Sequence, residues 1–214
     1  MAVSCRFSRV ARFLPVLIVG WGWAGDASAQ SSSPAPPDPV ATIRSFDHRL
    51  RHVLRRHFPE WSPEADLAKI QIHELVDQTL SIPELARGSL GNHWGEATEQ
   101  QRRTFLSLFR ELLVRRIATG QLLDYEPETT PKLILHVDDV ADVGMVIHEG
   151  EPTAEDPRRA SVDYKLRYLA GRWQLVDLLV DDRSVVGEYR YQFDRIIARE
   201  TIEGLLERMR KKVG

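Results

Sequence analysis

The sequence predicts an α+β fold in which a curved antiparallel sheet of about four strands carries helices on its concave face. The evidence is the spacing of apolar residues. They recur at helical spacing between residues 43 and 117, at every second position between 131 and 180, and again at helical spacing between 186 and 209. A run of strands between two groups of helices is typical of the α+β class. An α/β protein with a parallel sheet would instead show strands and helices in alternation.

The N-terminal 29 residues have the features of a cleavable signal peptide. Three arginines precede an apolar stretch, which ends in the small-x-small sequence Ala27-Ser28-Ala29. We predict cleavage before Gln30 and secretion; an uncleaved N-terminal anchor is the alternative. The only cysteine, Cys5, lies in this segment. The mature protein would therefore have no thiol for a disulfide, a nucleophile or a metal site.

The mature chain is expected to be one acidic domain behind a short leader. Residues 30–39 are rich in Pro and Ser and should be disordered, and residues 40–214 fit a single domain. Loss of the signal peptide would leave 26 basic and 30 acidic residues, a net charge of −4. Such a balance lacks the electrostatic footprint of a nucleic-acid-binding protein.

Two helices are predicted at the start of the domain. Asp38-Pro39 precedes the first, and Ser62-Pro63 begins the second, since proline is favoured at the first helical position. Apolar residues then recur at helical spacing in both segments.

Two capping boxes predict the next helices. Ser81 with Glu84 should begin a short helix that ends near Gly91, and Thr98 with Gln101 should begin a long one. The long helix has apolar residues at successive turns up to residue 117, which makes it the best-defined helix of the chain.

The sheet is predicted from four apolar runs, at residues 131–137, 143–148, 162–168 and 173–180. Their connections are too short for crossovers, so neighbouring strands should be antiparallel. The last run is apolar on both faces and is therefore expected to be a central strand. After this strand, two further segments have apolar residues at helical spacing. The space between such a sheet and its helices is a common place for an apolar ligand.

No catalytic or metal-binding motif is found. His48 and His52 have the i, i+4 spacing of metal ligands, but the nearby Arg55 and Arg56 would repel a cation. A nucleophile elbow, a P-loop and a dinucleotide fingerprint are all missing from the sequence. We therefore predict no catalytic residue, no metal and no cofactor.

Asp177 is the most unusual acidic residue, because it interrupts an apolar strand. Such a carboxylate is costly unless it is paired. A structural ion pair or cap is the preferred interpretation, with Arg190 as candidate partner. The alternative is a general base in a pocket.

Two stretches of the chain resemble the MlaC family, also called the toluene-tolerance family. The first comprises residues 90–94 and 98–102. The second comprises residues 172–180 and 184–193, with a W-x-x-x-D strand followed by S-x-x-x-x-Y-R-x-Q-F. The resemblance covers roughly residues 40–212. Members of this family are periplasmic phospholipid-binding components of the Mla lipid transport system.

The resemblance implies an NTF2-like/cystatin-like cone with phospholipid acyl chains between sheet and helices and the headgroup near the surface. The phospholipid is cargo and not a cofactor. Implied partners are an inner-membrane lipid ABC transporter complex with a substrate-binding ring and an outer-membrane lipoprotein–porin complex. The implied role is to help maintain the lipid asymmetry of the outer membrane. A monomer is expected, since docking with two complexes needs free surface.

The candidate lipid-binding residues lie on the two predicted walls of this space. The sheet would contribute Leu133, Leu135, Met145, Tyr164, Leu166, Trp173 and Leu175. The helices would contribute Leu108, Phe109, Leu112, Val186, Tyr189 and Phe193. Tyr164 and Tyr189 are candidates for the mouth, because each has an apolar ring and a polar tip. Each of these residues could instead belong to an ordinary solid core.

Two other functions stay open at this point. One is a small enzyme on the same cone-shaped sheet, acting on a hydrophobic substrate through Asp177 or His136. The other is a periplasmic interaction module with a filled core and no ligand.

Overall fold

The computed structural model describes the domain from the end of the leader to the C-terminus, namely residues 37–54, 63–119, 125–127, 129–149 and 158–214. The predicted signal peptide and leader residues 30–36 lie outside the described residues. Within the described ranges, no helix combines the length and the apolar character needed to span a bilayer.

Helices α1 (Pro39–Leu54) and α2 (Pro63–Thr79) confirm the first two predicted helices. The Asp38 carboxylate accepts a hydrogen bond from the Val40 N–H (3.0 Å), which satisfies a donor that the helix leaves free at its first turn. The Pro37 carbonyl accepts a hydrogen bond from Trp173 Nε1 (2.5 Å). The ordered domain therefore includes residues 37–39, which the sequence assigned to the leader.

Helices α3 (Ile82–Leu90), α4 (His93–Glu96) and α5 (Glu99–Ala118) follow. The capping box of Thr98 and Gln101 is confirmed, with both of its hydrogen bonds formed (2.7 and 3.2 Å). The box expected at Ser81 is wrong: the residue is the N-cap of α3, but its side chain makes no capping bond. Its N–H instead donates to the Leu175 carbonyl (2.9 Å), so Ser81 joins α3 to the sheet.

The sheet is antiparallel, as predicted, and has one strand position more than expected. Its strands are β1 (Tyr125–Pro127), β2 (Lys132–Val137), β3 (Val140–Glu149), β4 (Arg158–Leu169), β5 (Arg172–Val180) and β6 (Arg183–Ser184). Strands β1 and β2 pair with opposite ends of β3 and share one edge, and β4, β5 and β6 follow on the other side. The α+β class is thus confirmed.

One face of the sheet is apolar and buried, and we call it the inner face. It presents Ala141, Val143, Met145, Ile147, Ala160, Val162, Tyr164, Leu166, Trp173, Leu175 and Leu178. The other face carries the residues between them, including the ion pair of Lys165 with Asp142 (2.6 Å). This alternation is the expected pattern for a sheet that is covered on one side.

A register shift in β2 corrects the predicted face of Leu135. The shift lies between Leu133, which pairs with inner-face Val143, and Leu135, which pairs with Asp142. Because paired residues share a face, Leu135 lies on the outer face. Strand β2 is also an edge strand, which leaves Leu133 and Leu135 47% and 45% exposed. Strict alternation from the sequence could not reveal the extra residue of a bulge.

The prediction that β5 is central is wrong. It pairs with β4 along its length but only with the two residues of β6 on its other side. The rest of that side is covered by the α2–α3 junction, where Leu80 forms an isolated bridge to Leu175. The α2–α3 junction therefore takes the place of a full neighbouring strand along this edge of β5.

The last helix, α6 (Val185–Val213), is broken at Thr201, whose backbone is left-handed (φ 68°). Before the break, Tyr189 and Phe193 contact α5 at Phe109 and Phe105. After it, Glu203 bonds Gln101 near the start of α5, and the Lys212 carbonyl accepts from Arg115 near its end. The chain therefore reverses at Thr201, in agreement with the two separate apolar stripes in the sequence.

The core is the apolar layer between the inner face and the helices. Helices α2, α3 and α6 contact β5, whereas α1 contacts β2 and β3. Helix α5 packs on α2, α3 and α6. An added Cβ on Gly88 of α3 would lie only 2.7 Å from Val186 of α6, so this glycine permits the close approach of the two helices.

His93 joins the short helix α4 to α6. Its ring nitrogens lie 2.9 Å from the Asp194 carboxylate and 3.0 Å from the Glu96 carboxylate. The hydrogen bond with Asp194, and then that with Glu96, raises the pKa of His93 above its ordinary value of 6.5. The bridge is therefore strongest when the imidazole is protonated.

We expect the His93→Gln variant to lose stability in a pH-dependent way. Because the folded-state pKa is raised, the contribution of His93 is complete below pH 6.5 and declines as the pH rises through the folded-state value. The penalty should be at most about 1 kcal/mol in acid and smaller in mild alkali. Urea unfolding on both sides of neutrality measures it, with His48→Gln on the exposed side of α1 as control. An equal penalty at both pH values would contradict the assignment.

Candidate functional site

An apolar cavity lies between the inner face of the sheet and the helices, and we call it the sheet–helix cavity. Strands β4 and β5 form one wall, and α1, α3, α5 and the start of α6 form the other. Its lining residues are Phe46, Leu80, Leu85, Leu113, Ile117, Tyr164, Leu175, Leu178 and Val185. This is the space that the sequence predicted between sheet and helices.

The lining carries no charged side chain. The only side-chain polar group among the lining residues is the Tyr164 hydroxyl, which donates to Met145 Sδ (3.5 Å) and is buried with its ring. Such a surface offers contacts to methylene groups but no groups for proton transfer or for holding a cation. The cavity is therefore suited to an aliphatic ligand.

The cavity is small in this conformation. Its volume is about 30 Å³, whereas pockets for small molecules usually measure about 300–1,000 Å³. Its walls must separate before a long aliphatic ligand can enter. Helix α1 packs on α2, β2 and β3, while α3, α5 and α6 pack on one another, and α2 contacts both α1 and α5.

The predicted lipid-binding residues fall into three groups. Tyr164 and Leu175 line the cavity. Met145, Leu166 and Trp173 lie on the same inner face and are buried. The candidates on the helices lie mostly between helices, and the two from β2 are exposed.

Three of the six helical candidates, Phe109, Tyr189 and Phe193, belong to an aromatic cluster between α5 and α6. The rings of Phe105, Phe109, Tyr189 and Phe193 lie with centroids 5.2 to 6.2 Å apart. Leu112 and Val186 are also buried, and Leu108 is half-buried. Which of these residues contact a ligand stays a prediction.

Several lining residues were missed by the sequence. Leu113 and Ile117 of α5 and Phe46 of α1 lie in segments predicted as apolar helices, but the sequence did not identify them as cavity walls. Helix α5 is buried on a broad face, since Leu112, Leu113 and Val114 are all buried. Helical spacing alone cannot show which part of such a face points to the sheet and which to α6.

Tyr189 makes a polar contact at one end of the aromatic cluster. Its hydroxyl accepts a hydrogen bond from Arg116 Nη1 (2.8 Å), and the guanidinium lies over the ring at 5.4 Å. Burial raises the pKa of Tyr189, and the hydrogen bond from Arg116 opposes that rise. The phenol is therefore protonated at neutral pH.

Asp177 has a structural environment. Its Oδ1 accepts from the N–H groups of Leu178 (2.8 Å) and Val186 (3.1 Å), and its Oδ2 accepts from the Ser184 hydroxyl (2.5 Å). The carboxylate thus stabilises the N-terminus of α6, where negative charge is favourable. The expected ion pair with Arg190 is wrong, because that side chain donates to the Gly88 carbonyl (2.7 Å).

The other candidate polar residues form no ligand set. His136, the candidate of the enzyme alternative, packs edge-to-face against Trp173, with the ring centroids 5.2 Å apart. In the described ranges, no group of three or more His, Cys, Asp or Glu side chains could hold a metal ion.

Comparison with known proteins identifies a family and similar solved structures. The model of the MlaC family, described as MlaC protein, matches residues 48–211. A solved structure of the phospholipid-binding protein from Ralstonia solanacearum in complex with a phospholipid has a TM-score of 0.60 at 18% identity. The match covers 83% of this chain and 97% of that one. No curated protein matches the chain.

We expect Asp177→Asn to destabilise the domain. The amide keeps one oxygen but places an NH₂ group against backbone and hydroxyl donors, so at least one charge-assisted hydrogen bond is lost, at a cost of about 1.5–3 kcal/mol. Urea denaturation measures the change. Asp182→Asn, in the exposed turn nearby, is the control, since Asn tolerates the left-handed backbone there (φ 62°). An unchanged unfolding midpoint for Asp177→Asn would refute the capping role.

Proposed function

Because the chain belongs to the MlaC family, we propose that it is a phospholipid carrier that holds acyl chains in the sheet–helix cavity. The observation that carries the proposal is the uncharged lining between the inner face and the helices. The Ralstonia solanacearum protein of similar fold, whose structure contains a phospholipid, supports the same ligand class.

The physical need for such a carrier follows from the hydrophobic effect. A two-chain phospholipid has on the order of 30 methylenes, and exposing each to water costs about 0.8 kcal/mol, or roughly 24 kcal/mol in total. A carrier with an interior as apolar as a bilayer makes the exchange nearly neutral in free energy. The function then requires no covalent step, so we propose a carrier and not an enzyme.

Binding must widen the cavity. Helix α1 contacts β2 and β3, whereas α3 and α6 contact β5. Movement of α1 relative to α3 and α6 would therefore break no hydrogen bond between strands. The main cost is apolar contact between the walls, which the acyl chains replace. The closed walls in turn keep apolar surface away from water when no lipid is bound.

The setting of the carrier follows from the family and from the predicted signal peptide. We propose that the mature protein works in the periplasm and exchanges lipid with the two membrane complexes. These are the inner-membrane ABC transporter complex with its substrate-binding ring and the outer-membrane lipoprotein–porin complex. The pathway would maintain outer-membrane lipid asymmetry and, through it, toluene tolerance.

The enzyme alternative is less well supported. Its candidate base, Asp177, accepts three hydrogen bonds at the start of α6 and does not line the cavity. Its second candidate, His136, lies on the exposed edge strand. Neither residue is placed to act on a ligand within the cavity.

Two adjacent residues of β5 provide a matched test of the site. Leu178 lines the cavity, while Leu179 pairs with Asp163 on the outer face. We expect Leu178→Trp to reduce phospholipid uptake several-fold, because the indole competes for the space of the acyl chains. Leu179→Trp should load like the wild type.

The measurement is native mass spectrometry of delipidated protein after incubation with phospholipid vesicles. Thermal melting establishes that both variants are folded, since overpacking a core costs about 1–3 kcal/mol. Equal uptake by a folded Leu178→Trp protein would exclude this cavity as the binding site. Failure of the wild-type protein to take up any phospholipid would refute the carrier function itself.

A further inference from the structure

Arg116, near the end of α5, is a half-buried cation without a carboxylate partner among the described residues. Some other arginines have one, since Arg110 pairs with Asp77 (2.5 Å) and Arg103 with Glu99. The guanidinium of Arg116 instead donates to the neutral hydroxyl of Tyr189. One Nη1–H is thereby used, and the remaining donors of the guanidinium are available to an anion.

Tyr189 contributes a second available donor at the same place. The residue is 4% exposed, and its hydroxyl accepts from Arg116. In the described part of the chain the hydroxyl proton has no acceptor, although a phenol can both accept and donate. A buried donor without an acceptor costs free energy, and an anion bound beside Arg116 would remove that cost.

The pair lies next to the sheet–helix cavity. Leu113, a lining residue, precedes Arg116 by three positions in α5, and Val185, another lining residue, precedes Tyr189 by four in α6. Residues at these spacings are neighbours on one helix face, with Cβ atoms about 5–6 Å apart. The backbone positions of Arg116 and Tyr189 therefore lie about one helical turn from residues that line the cavity.

The same pair is close to the surface. Helix α5 ends at Ala118, and both Ala118 and Thr119 are exposed. Arg116 is thus placed between the apolar interior and water. This is the position that the phosphate of a lipid takes when its acyl chains are buried and its headgroup remains near solvent.

We propose that Arg116 and Tyr189 bind the phosphate of the phospholipid headgroup. Arginine suits this task because its planar fork of N–H groups matches two phosphate oxygens. The Tyr189 hydroxyl donates a further hydrogen bond and holds the guanidinium in place. The proposal rests on the carrier function. It adds the two residues that would select a phosphate-bearing lipid over a neutral one.

The test compares two lipids with the same acyl chains, phosphatidylglycerol and uncharged diacylglycerol. Delipidated full-length mature protein is incubated with vesicles containing either lipid, and loading is measured by native mass spectrometry. The wild-type protein should prefer phosphatidylglycerol. Arg116→Gln should lower phosphatidylglycerol loading about tenfold, the loss expected for one charge-assisted hydrogen bond, and should leave diacylglycerol loading unchanged.

Matched variants separate the local contact from general charge. Arg115→Gln removes the same charge from the exposed neighbouring position and should retain the lipid preference. Tyr189→Phe keeps the ring in the aromatic cluster and should lower phosphatidylglycerol loading by a smaller factor. Arg116→Lys keeps the charge but not the fork and should restore only part of the preference. These two variants keep the test decisive if Arg116→Gln does not fold.

The outcomes distinguish this proposal from the one on which it rests. A wild-type protein that loads neither lipid refutes the carrier function. Equal loading of both lipids by wild type and Arg116→Gln leaves the carrier function intact and overturns the phosphate site. Thermal melting with millimolar inorganic phosphate examines the other source of the same chemistry. The contrary result is that inorganic phosphate raises the melting temperature of the wild type but not of Arg116→Gln, while the wild type shows no preference between the two lipids. That result would assign the site to free phosphate and overturn the headgroup assignment.

Discussion

The whole structure depends on covering one apolar face of an antiparallel sheet with helices. The inner face of β3, β4 and β5 is buried along its length, and the opposite face carries polar residues and ion pairs. Hydrophobic burial is non-directional and grows with the area removed from water. Two apolar walls held together mainly by burial can separate around a ligand of the same chemistry. The hydrogen bond of Ser81 with Leu175 keeps the start of α3 attached to the sheet.

The polar groups of the domain are placed where they fix geometry without entering the cavity. Asp177 holds the start of α6, Ser81 joins α3 to β5, and His93 connects α4 to α6. Each of these groups orders a helix that forms or supports a wall of the cavity. The interior is thereby left free of charge, while its helical frame remains well defined. Arg116 directly precedes the lining residue Ile117 in α5, and Tyr189 follows the lining residue Val185 by one turn in α6, so their proposed role is at the margin of the cavity.

The sequence predicted the class of fold and most element boundaries because these depend on local patterns. The capping box at Thr98 and the proline at residue 63 are signals within one helical turn, and both hold in the structure. The position of β5 and the face of Leu135 were wrong, because a covering helix and a bulge are set by contacts distant in sequence. The cavity walls were found only in part, since Leu113 and Leu112 are adjacent buried residues that helical spacing cannot distinguish. The partner of Asp177 was missed because a nearby helix N-terminus offered bonds that required no cation.

The central claim is that acyl chains occupy the space between the inner face and the helices. It is tested most directly by methyl NMR of protein loaded with a phospholipid that carries a nitroxide on one acyl chain. The account predicts strong paramagnetic broadening of the methyl signals of Leu113, Ile117 and Leu178, which line the cavity. The methyl signals of Leu67 and Ile70, exposed on α2, should stay sharp. Broadening of the α2 signals, with the cavity signals unaffected, would contradict it.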